Sequence, residues 1–439
     1  MQDSGLKFRV DSLDREGRGI TRREGKAVFV DGALPGELVE ISVVKRKPSY
    51  ELADVLFIHE ASPSRTASAC KWFGHCGGCS MQHLEFRAQV AVKQRVLEDA
   101  FWHIGRVRSE EMMSPIYGVP WSYRHRARLS VRLVRKKGGI LVGFHERRSS
   151  FIADMTSCEV LPAKISRLLP ELRVVLGSLS ICQQLPQVEL SVGASDVVMV
   201  LRVLAPLSDV DQDTLKTFAE THGVTFWLQP KGPDTATPFW PIHHRELAYE
   251  LPDFGLSLKF RPTDFTQINH AVNRMMIRRA VSLLDISGRD RVLDLFCGLG
   301  NFTLPIAAKG ALAHGVEGSE SLISMARTNA SRNLLADRCS FSVGNLFDPE
   351  FVDKAIKDAG PFSKVLIDPP REGAMEVVKR LAAVPDLHKV VYVSCDPGTL
   401  ARDAAVLVNA AGFRLRQAGV VNMFPQTSHV ESMALFVRD

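Results

Sequence analysis

The segment RVLDLFCGLGNFTLP, residues 291–305, decides the fold of this 439-residue chain. A short Val/Leu run leads through Gly298 and Gly300 into a stretch of helical character. Similar apolar runs follow at residues 312–317, 364–368 and 389–395. Buried apolar strands that alternate with helices predict a doubly wound, Rossmann-like α/β domain from about residue 261 onwards. Ligands of such domains bind at the carboxyl ends of the parallel strands.

The turn after the first strand and an acid after the second indicate a nucleoside ligand. Gly298 and Gly300 permit a tight turn and a close backbone approach to the ligand. Glu317 ends the second strand, where a carboxylate accepts hydrogen bonds from both ribose hydroxyls. The pattern is G-x-G-N rather than G-x-G-x-x-G, which favours S-adenosylmethionine over a dinucleotide. An ordinary tight turn is the alternative explanation for the glycines alone.

Two later strand ends carry candidate catalytic side chains. Cys395 closes the run at 389–395 and Pro397 opens the next helix, so we expect the helix N-terminus to favour the reactive thiolate. Glu431 occupies an inward-facing position of an apolar final strand, where an unpaired carboxylate would be costly. We interpret Cys395 as a nucleophile and Glu431 as a general base. A small buried hydrophobe and a structural salt bridge are the respective alternatives.

Four of the eight cysteines form a possible ligand set, namely Cys70, Cys76, Cys79 and the distant Cys158. Four thiolates suit either zinc or an iron–sulfur cluster, and the spacing alone does not choose between them. The spacing also differs from the C-x3-C-x2-C motif of radical S-adenosylmethionine enzymes. The remaining cysteines are interpreted as packing residues: Cys182, Cys297 and Cys339.

Composition excludes a disordered chain, because 45% of the residues are hydrophobic and 24% are charged. The net charge of +6 is concentrated in residues 121–150, which hold nine Lys/Arg and one acid. Arginines at alternate positions lie on one face of a strand, and Trp121, Tyr123 and Phe144 are nearby. This composition predicts an RNA-contacting surface, with a merely solvated face as the alternative.

The chain divides into three predicted parts. Residues 1–60 alternate strand-like segments with Gly/Pro turns, which predicts a small OB-like β-barrel. Residues 61–260 form a central α+β domain that begins with the cysteines and a helix over 84–104, and residues 261–439 form the α/β domain. The apolar stretch 197–207 is too short to span a bilayer, so we expect a cytoplasmic protein without membrane contact.

Several longer motifs, in this order, resemble those of the RNA uracil-5-methyltransferases. They are C-x5-CGGC-x-x-QH from residue 70, FTQIN at 265–269, DLFCGLGNF at 294–302, DPPR-x-G at 368–373, VSCDP-x-TLARD at 393–403 and FP-x-T-x-H-x-E-S at 424–432. The resemblance covers essentially the whole chain, including an N-terminal segment similar to a TRAM domain. DPPR and CDP stand where many members that act on 23S ribosomal RNA have DPAR and CNP.

The resemblance implies a [4Fe-4S] cluster on Cys70, Cys76, Cys79 and Cys158, which replaces zinc as the expectation. It also implies that part of residues 88–118 docks on the methyltransferase domain. The residues that it implies around S-adenosylmethionine are Gln267, Phe296, Asn301, Glu317, Asn345 and Asp368.

The activity that the resemblance implies is transfer of a methyl group to carbon 5 of one uridine in 23S ribosomal RNA. Carbon 5 becomes nucleophilic once the Cys395 thiolate has added to carbon 6 of a flipped base, and Glu431 then removes the hydrogen at carbon 5. We expect a monomer without an obligate protein partner. The alternatives are another uridine of 23S ribosomal RNA, a transfer RNA, or an iron–sulfur RNA-binding protein with an inactive methyltransferase fold.

Overall fold

The computed structural model describes residues 6–243 and 246–438. The N-terminal sheet has the strand order β1-β5-β6-β4-β3-β2 and packs round a small apolar core that includes Val28, Val30 and Ile41. Glycines and prolines separate its strands, as the sequence predicts. The strands are β1 (Lys7–Arg9), β2 (Ser12–Leu13), β3 (Gly19–Arg23), β4 (Lys26–Asp31), β5 (Leu38–Arg46) and β6 (Tyr50–Glu60).

The predicted helix over 84–104 is α1 (Phe86–Ala100), which continues as a π-helical turn over Phe101–Gly105. Glu85 caps its N-terminus by accepting a hydrogen bond from the amide of Ala88 at 2.9 Å. Leu97 and Phe101 on one face of the helix are buried in a core of the C-terminal domain. Strand β7 (Glu111–Met112) follows and joins the C-terminal sheet as an edge strand.

The central sheet has the order β13-β12-β11-β10-β8-β9 and buries the apolar faces of two helices. Ser208 and Asp211 form a capping box that fixes the start of the second of these helices. The elements are β8 (Arg126–Val134), β9 (Gly139–Gly143), α2 (Ala163–Ser178), β10 (Gln187–Val192), β11 (Val197–Arg202), α3 (Asp209–His222), β12 (Thr225–Gln229) and β13 (Thr237–Trp240). A hairpin of β14 (Ala248–Leu251) and β15 (Leu256–Lys259) follows.

The C-terminal sheet has the order β18-β17-β16-β19-β20-β22-β21-β7, with helices on both faces. Strands β16 to β20 are parallel, and β22 runs antiparallel between β20 and β21. The elements are α4 (His270–Leu284), β16 (Arg291–Leu295), α5 (Thr303–Ala308), β17 (Leu312–Glu317), α6 (Glu320–Arg332), β18 (Cys339–Val343), α7 (Pro349–Asp358), β19 (Lys364–Ile367), α8 (Met375–Leu381), β20 (Lys389–Ser394), α9 (Pro397–Asn409), β21 (Arg414–Val421) and β22 (Glu431–Val437). The predicted doubly wound α/β fold is confirmed.

Two contacts tie the earlier parts of the chain to the C-terminal domain. The β14–β15 hairpin lies on α6, where the amide groups of Asn329 and Asn333 hydrogen-bond the backbone of Lys259 and Ser257. On the opposite side, β7 pairs in parallel with β21. Within residues 6–243 and 246–438, helices are either too short or too polar to cross a bilayer.

Candidate active site

Three parallel strands deliver functional side chains to one edge of the C-terminal sheet. Strands β16, β19 and β20 end one residue before Phe296, Asp368 and Cys395, respectively. Because the strands are parallel, these residues leave the sheet at the same edge. Phe296 has a positive φ of 65°, which turns the chain sharply out of the strand.

A cavity of about 910 Å³ opens at this edge. It extends from the glycine turn after β16 to the start of β22, and residues of the cysteine-rich loop form part of its wall. All the residues that the sequence assigned to cofactor binding or catalysis line it: Gln267, Phe296, Asn301, Glu317, Asn345, Asp368, Cys395 and Glu431. The structure therefore brings together side chains that are separated by more than 160 residues of sequence.

One end of the cavity suits a nucleoside. Glu317 accepts hydrogen bonds from the amides of Gly298 at 3.2 Å and Ser319 at 3.0 Å, so its carboxylate is fixed between two loops. Asn301 is held by the hydroxyl of Tyr249 at 2.8 Å and by the amide of Asn273 at 2.9 Å. Prearranged polar groups of this kind orient a ligand at little entropic cost.

Buried carboxyl groups give the middle of the cavity a particular electrostatic character. Burial raises the pKa of Asp368 to about 7. Asp294, behind the glycine turn, also has its pKa raised to about 7 by burial, although a hydrogen bond from Thr303 at 2.5 Å opposes the shift. A cation bound beside these groups would favour their ionised forms and be held by them. The site is thus suited to a ligand that carries positive charge, such as a sulfonium.

Cys395 lies in this acidic environment, and the expected stabilisation of its thiolate is wrong. Burial, Glu431 and Asp368 raise the pKa of the thiol to about 12, and Arg371 only partly opposes them. The amides at the start of α9 are not free to favour a thiolate. Asp396 accepts hydrogen bonds from the amides of Gly398 at 2.8 Å and Thr399 at 3.0 Å. The resting cysteine is therefore a thiol.

Glu431 is the first residue of β22 and pairs with Val421 in β21. Its side chain is buried, and burial together with Asp368 raises its pKa to about 8, with Lys93 opposing the shift. The atom Oε2 has no hydrogen-bond partner among the described residues. Glu431 forms no salt bridge with any described residue, so the structural alternative for this side chain is not observed. A buried carboxylate without a full set of hydrogen-bond partners binds a proton readily.

The four cysteines assigned to a cluster border a second, smaller cavity. Burial raises the pKa of Cys79 to about 11 and that of Cys158 to about 12, and the pKa of Cys76 is raised in the same direction. All four are free thiols. Within residues 6–243 and 246–438, no group of three or more potential ligands is arranged to hold a metal ion. Cys79 also borders the large cavity.

The basic surface differs from the prediction in two respects. Arg126 and Arg128 lie on one face of β8, but both bind Glu189, at 2.6 and 3.4 Å, so this face is not uniformly positive. Tyr123 is fully buried and donates a hydrogen bond to the carbonyl oxygen of Pro425 at 2.7 Å, so it does not face a base. The alternation in the sequence predicts on which face of the strand an arginine lies, but it does not predict the acidic residue on the neighbouring strand.

Other residues of the basic stretch have local partners. Arg147 and Arg148 both form ion pairs with Asp31 of the N-terminal sheet. Arg124 lies over the ring of Phe144, with 5.7 Å between the guanidinium carbon and the ring centroid, and both residues line the large cavity. Outside that stretch, Nη2 of Arg371 lies 3.4 Å from Nδ1 of His429.

Sequence reasoning assigned no role to Phe265 and Phe347, which line the cavity, or to Lys93, which lies behind it. Phe265 of the FTQIN motif is 69% exposed at the cavity. Its position two residues before the predicted ligand residue Gln267 is the signal that the sequence offers. Lys93 is buried under the segment that leads to Glu431. A lone lysine in an amphipathic helix gives no signal of burial, because lysines in such helices are usually exposed.

Comparisons with known proteins agree with this geometry. The family model described as tRNA (Uracil-5-)-methyltransferase matches residues 87–439, and the TRAM domain model matches residues 8–56. The 23S rRNA (uracil(1939)-C(5))-methyltransferase RlmD of Cupriavidus pinatubonensis is 55% identical over 441 residues, covering 98% of this chain and 95% of that protein. The protein of the same name from Bordetella parapertussis is 54% identical over 430 residues, covering 97% and 92%.

A solved structure shares the fold along the whole chain. It is the Pyrococcus abyssi tRNA (uracil-54, C5)-methyltransferase in complex with S-adenosyl-L-homocysteine. The TM-score is 0.75 at 22% sequence identity, and the alignment covers 98% of this chain and 100% of that one. With the family model matched over most of its length, this chain belongs to the uracil-5-methyltransferase family of S-adenosylmethionine-dependent RNA-modifying enzymes.

Proposed function

We propose that this enzyme methylates carbon 5 of uridine 1939 in 23S ribosomal RNA, the nucleotide in the names of the two relatives described above. One observation carries the proposal. Cys395, directly after β20, and Glu431, at the start of β22, face the same cavity as the residues assigned to S-adenosylmethionine. The cavity, at about 910 Å³, has room for a nucleoside cofactor and a flipped base together.

Cys395 acts first in the proposed mechanism. The thiol gives its proton to solvent water as Sγ forms a bond to carbon 6 of uracil, and the electrons of the C5–C6 double bond move to carbon 5 and the neighbouring carbonyl. The thiol holds its proton tightly in the free enzyme, with a pKa of about 12. Arg371, which lowers that pKa, is the group of this chain that assists the proton's loss.

Glu431 acts second. S-adenosylmethionine supplies the methyl group, which carbon 5 takes up while S-adenosylhomocysteine leaves. The Glu431 carboxylate then removes the hydrogen from carbon 5, the C5–C6 double bond forms again, and the bond from carbon 6 to Sγ breaks. Glu431 raises the pKa of the Cys395 thiol and lines the same cavity, which supports its role as a base next to the nucleophile.

Residues at the cavity wall and beyond are proposed to hold the RNA. Phe265 and Phe347 are exposed at the cavity and offer flat surfaces on which unpaired bases stack. Arg124 contributes positive charge beside them, and the N-terminal sheet supplies a second RNA-binding surface, as expected of a TRAM domain. These contacts offset the few kcal/mol that base flipping costs.

We infer that Cys70, Cys76, Cys79 and Cys158 hold a [4Fe-4S] cluster. The fit rests on chemistry that the structure contains: four free thiols, buried to different extents, border one small cavity. As thiolates they would hold the cluster, which would cross-link the loop of residues 70–79 to Cys158. Purified without oxygen, the protein should be brown and contain about four iron atoms per chain. One zinc ion in a colourless protein would contradict the cluster.

We also propose a division into residues 1–60, 61–260 and 261–439, with residues 88–118 docked on the methyltransferase domain. The burial of Leu97 and Phe101 in the C-terminal core and the pairing of β7 with β21 support that docking. The β14–β15 hairpin, inside the second range, also packs on the C-terminal domain. We propose a cytoplasmic monomer, which size-exclusion chromatography with light scattering tests.

The decisive experiment combines RNA mapping with a nucleophile variant. The wild-type enzyme with tritiated S-adenosylmethionine should label 23S ribosomal RNA at uridine 1939 and form a covalent adduct with RNA that contains 5-fluorouridine at that position. Cys395→Ala should lose both activities, because no thiolate can add to carbon 6. Cys182→Ala, in a turn away from the cavity, is the matched control and should retain both.

Each alternative predicts a distinct result. Label at another uridine would contradict the site assignment alone, and label on transfer RNA would contradict the RNA class. Absence of label on all RNA, with RNA binding intact, would identify an inactive binding protein and contradict the proposed chemistry. Retained activity in Cys395→Ala would contradict the role of the nucleophile.

A further inference from the structure

Lys93 of α1 is a buried charged side chain with no part in the mechanism so far. Its side chain is 1% exposed. The ammonium group donates hydrogen bonds to Oδ1 of Asn422 at 2.7 Å and to the carbonyl oxygen of Phe424 at 2.9 Å. Both acceptors belong to residues 422–430, here called the base loop, which connects β21 to Glu431. Lysine is rarely buried to this extent unless it interacts with a group of opposite charge.

A chain of hydrogen bonds runs from Lys93 through the base loop to the cavity. The carbonyl oxygen of Phe424 also accepts a hydrogen bond from the hydroxyl of Thr427 at 2.9 Å, and that hydroxyl accepts one from the amide of His429 at 3.4 Å. Thr427 and His429 line the cavity. Lys93 therefore holds the start of the loop whose end carries the catalytic carboxyl.

Gln89, one turn before Lys93 on the same face of α1, holds the loop without contributing charge. Its side-chain oxygen accepts a hydrogen bond from the amide of Gln426 at 3.0 Å, and its side-chain nitrogen donates to Oε1 of Gln426 at 2.9 Å. Gln89 is as deeply buried as Lys93. The helix thus offers two anchors of similar position and different charge, which makes Gln89 a matched control.

The charges around Glu431 have opposite effects on it. Asp368 raises the pKa of Glu431 and Lys93 lowers it. Cys395 also faces Glu431, and its own pKa is raised by that carboxyl. On the base loop, His429 has its pKa lowered by burial and by Arg371, Lys93 and Arg124. Glu431 in turn raises the pKa of Lys93, against the lowering effect of burial. Each charge therefore favours the other.

We propose that Lys93 is a positioning residue for Glu431, holding the base loop in place and supplying the positive charge that favours the ionised carboxylate. The inference rests on the proposed function, in which that carboxylate removes the hydrogen from carbon 5. Without the ammonium group, Glu431 would lie beside Asp368 in a buried site with no compensating charge, and it would hold its proton to higher pH.

The test follows the base step directly. Target RNA that carries tritium at carbon 5 of the uridine releases the label to water when Glu431 acts, and the release rate is measured from pH 6 to 10. In Lys93→Met, the midpoint of the acidic limb should move upward by about one pH unit or more, which makes release at pH 7 about tenfold slower. The rate should recover toward the wild-type value at high pH.

Matched variants separate charge from anchoring. Gln89→Met should slow release at every pH with the wild-type midpoint, because it loses hydrogen bonds without losing charge. Lys93→Arg should retain the midpoint even if its rate falls. A uniform loss in Lys93→Met, or a shifted midpoint in Lys93→Arg, would overturn the inference. If Lys93→Met does not fold, judged by its melting temperature, the midpoint of Lys93→Arg decides. No release from the wild type would instead contradict the proposed function.

Discussion

Cys395 and Glu431 both hold their protons more tightly than free side chains do, with pKa values of about 12 and 8. The cause is shared, because each is buried and each faces other acidic groups. A thiol in this state resists oxidation and alkylation, since the thiolate is the reactive form. Cys395 is therefore unreactive in the free enzyme. A cationic cofactor beside Asp368 would favour the ionised forms of the acidic groups around it.

Glu431→Gln should trap the enzyme on its RNA. An amide cannot take the hydrogen from carbon 5, so the adduct through Cys395 should form while its breakdown slows by about 10²-fold or more. Denaturing gels of the enzyme with unmodified target RNA measure the accumulation of the covalent complex. Glu320→Gln, at an exposed position of α6, is the control and should turn over normally. Normal turnover in Glu431→Gln would contradict the role of the base.

The same substitution should stabilise the protein as the pH rises. Glu431 has a pKa of about 8 in the folded protein against an ordinary value of 4.5, so the folded state binds the extra proton. Its contribution to the free energy of unfolding is therefore lost progressively between about pH 4.5 and pH 8. Glu431→Gln should raise the melting temperature more at pH 8 than at pH 5. An equal effect at both pH values would contradict the assigned shift.

At the scale of elements, the turn between β16 and α5 depends on Gly300. Its φ is +96°, and a Cβ at this position would lie 2.3 Å from Cδ1 of Leu304. Gly300→Ala should therefore destabilise the protein by about 1–3 kcal/mol through backbone strain and weaken S-adenosylmethionine binding by about tenfold or more. Denaturant unfolding and calorimetric titration measure these effects. Gly288→Ala has open space and an ordinary φ, and it should change neither quantity.

In the C-terminal domain, the strands that the sequence predicted lie in the interior of the sheet. Strands β16, β17, β19 and β20 show as apolar runs because each lies between helices in the interior of the sheet. Strand β18 at the edge is only partly buried and has no such run, so it was not predicted. The predicted helix at residues 84–104 was found because its apolar spacing is local.

The parts of the site that escaped prediction depend on residues distant in sequence. The raised pKa of Cys395 comes from burial and from Glu431 and Asp368 at the ends of two other strands, which a local helix-terminus argument cannot include. Lys93 meets its acceptor Asn422 across 329 positions of the chain. The motifs predicted residues that line the cavity, whereas the protonation states of these residues depend on the three-dimensional arrangement.

At the scale of the whole molecule, Asp31 joins the N-terminal sheet to the central domain through Arg147 and Arg148. Asp31→Asn should loosen this connection, weaken binding of target RNA several-fold, and leave S-adenosylmethionine affinity unchanged. Its cost in stability should be about 1–3 kcal/mol, because Asp31 is only 13% exposed, Arg147 loses this ion pair, and Arg148 is left with Asp54.

The control for this prediction is Asp54→Asn. Asp54 contacts only one of the same arginines, Arg148, among the described residues, and both side chains of that pair are 46% exposed. Exposed ion pairs contribute about 0–1 kcal/mol, so RNA affinity should change little. Filter binding at two salt concentrations measures both variants. Equal effects of the two substitutions would contradict a specific role for Asp31 in orienting the N-terminal sheet.

The docking of α1 on the C-terminal domain has a consequence for the order of events during synthesis. Lys93 leaves the ribosome long before its acceptor Asn422, 329 residues later. At about 5–20 residues per second, this delay is about 15–65 s. Leu97 and Phe101 lack their native core until late in that interval, because α9 and β21, which pack against this part of the chain, are made near its end. The nascent chain therefore keeps the apolar face of this helix exposed to water until the C-terminal elements that cover it have been made.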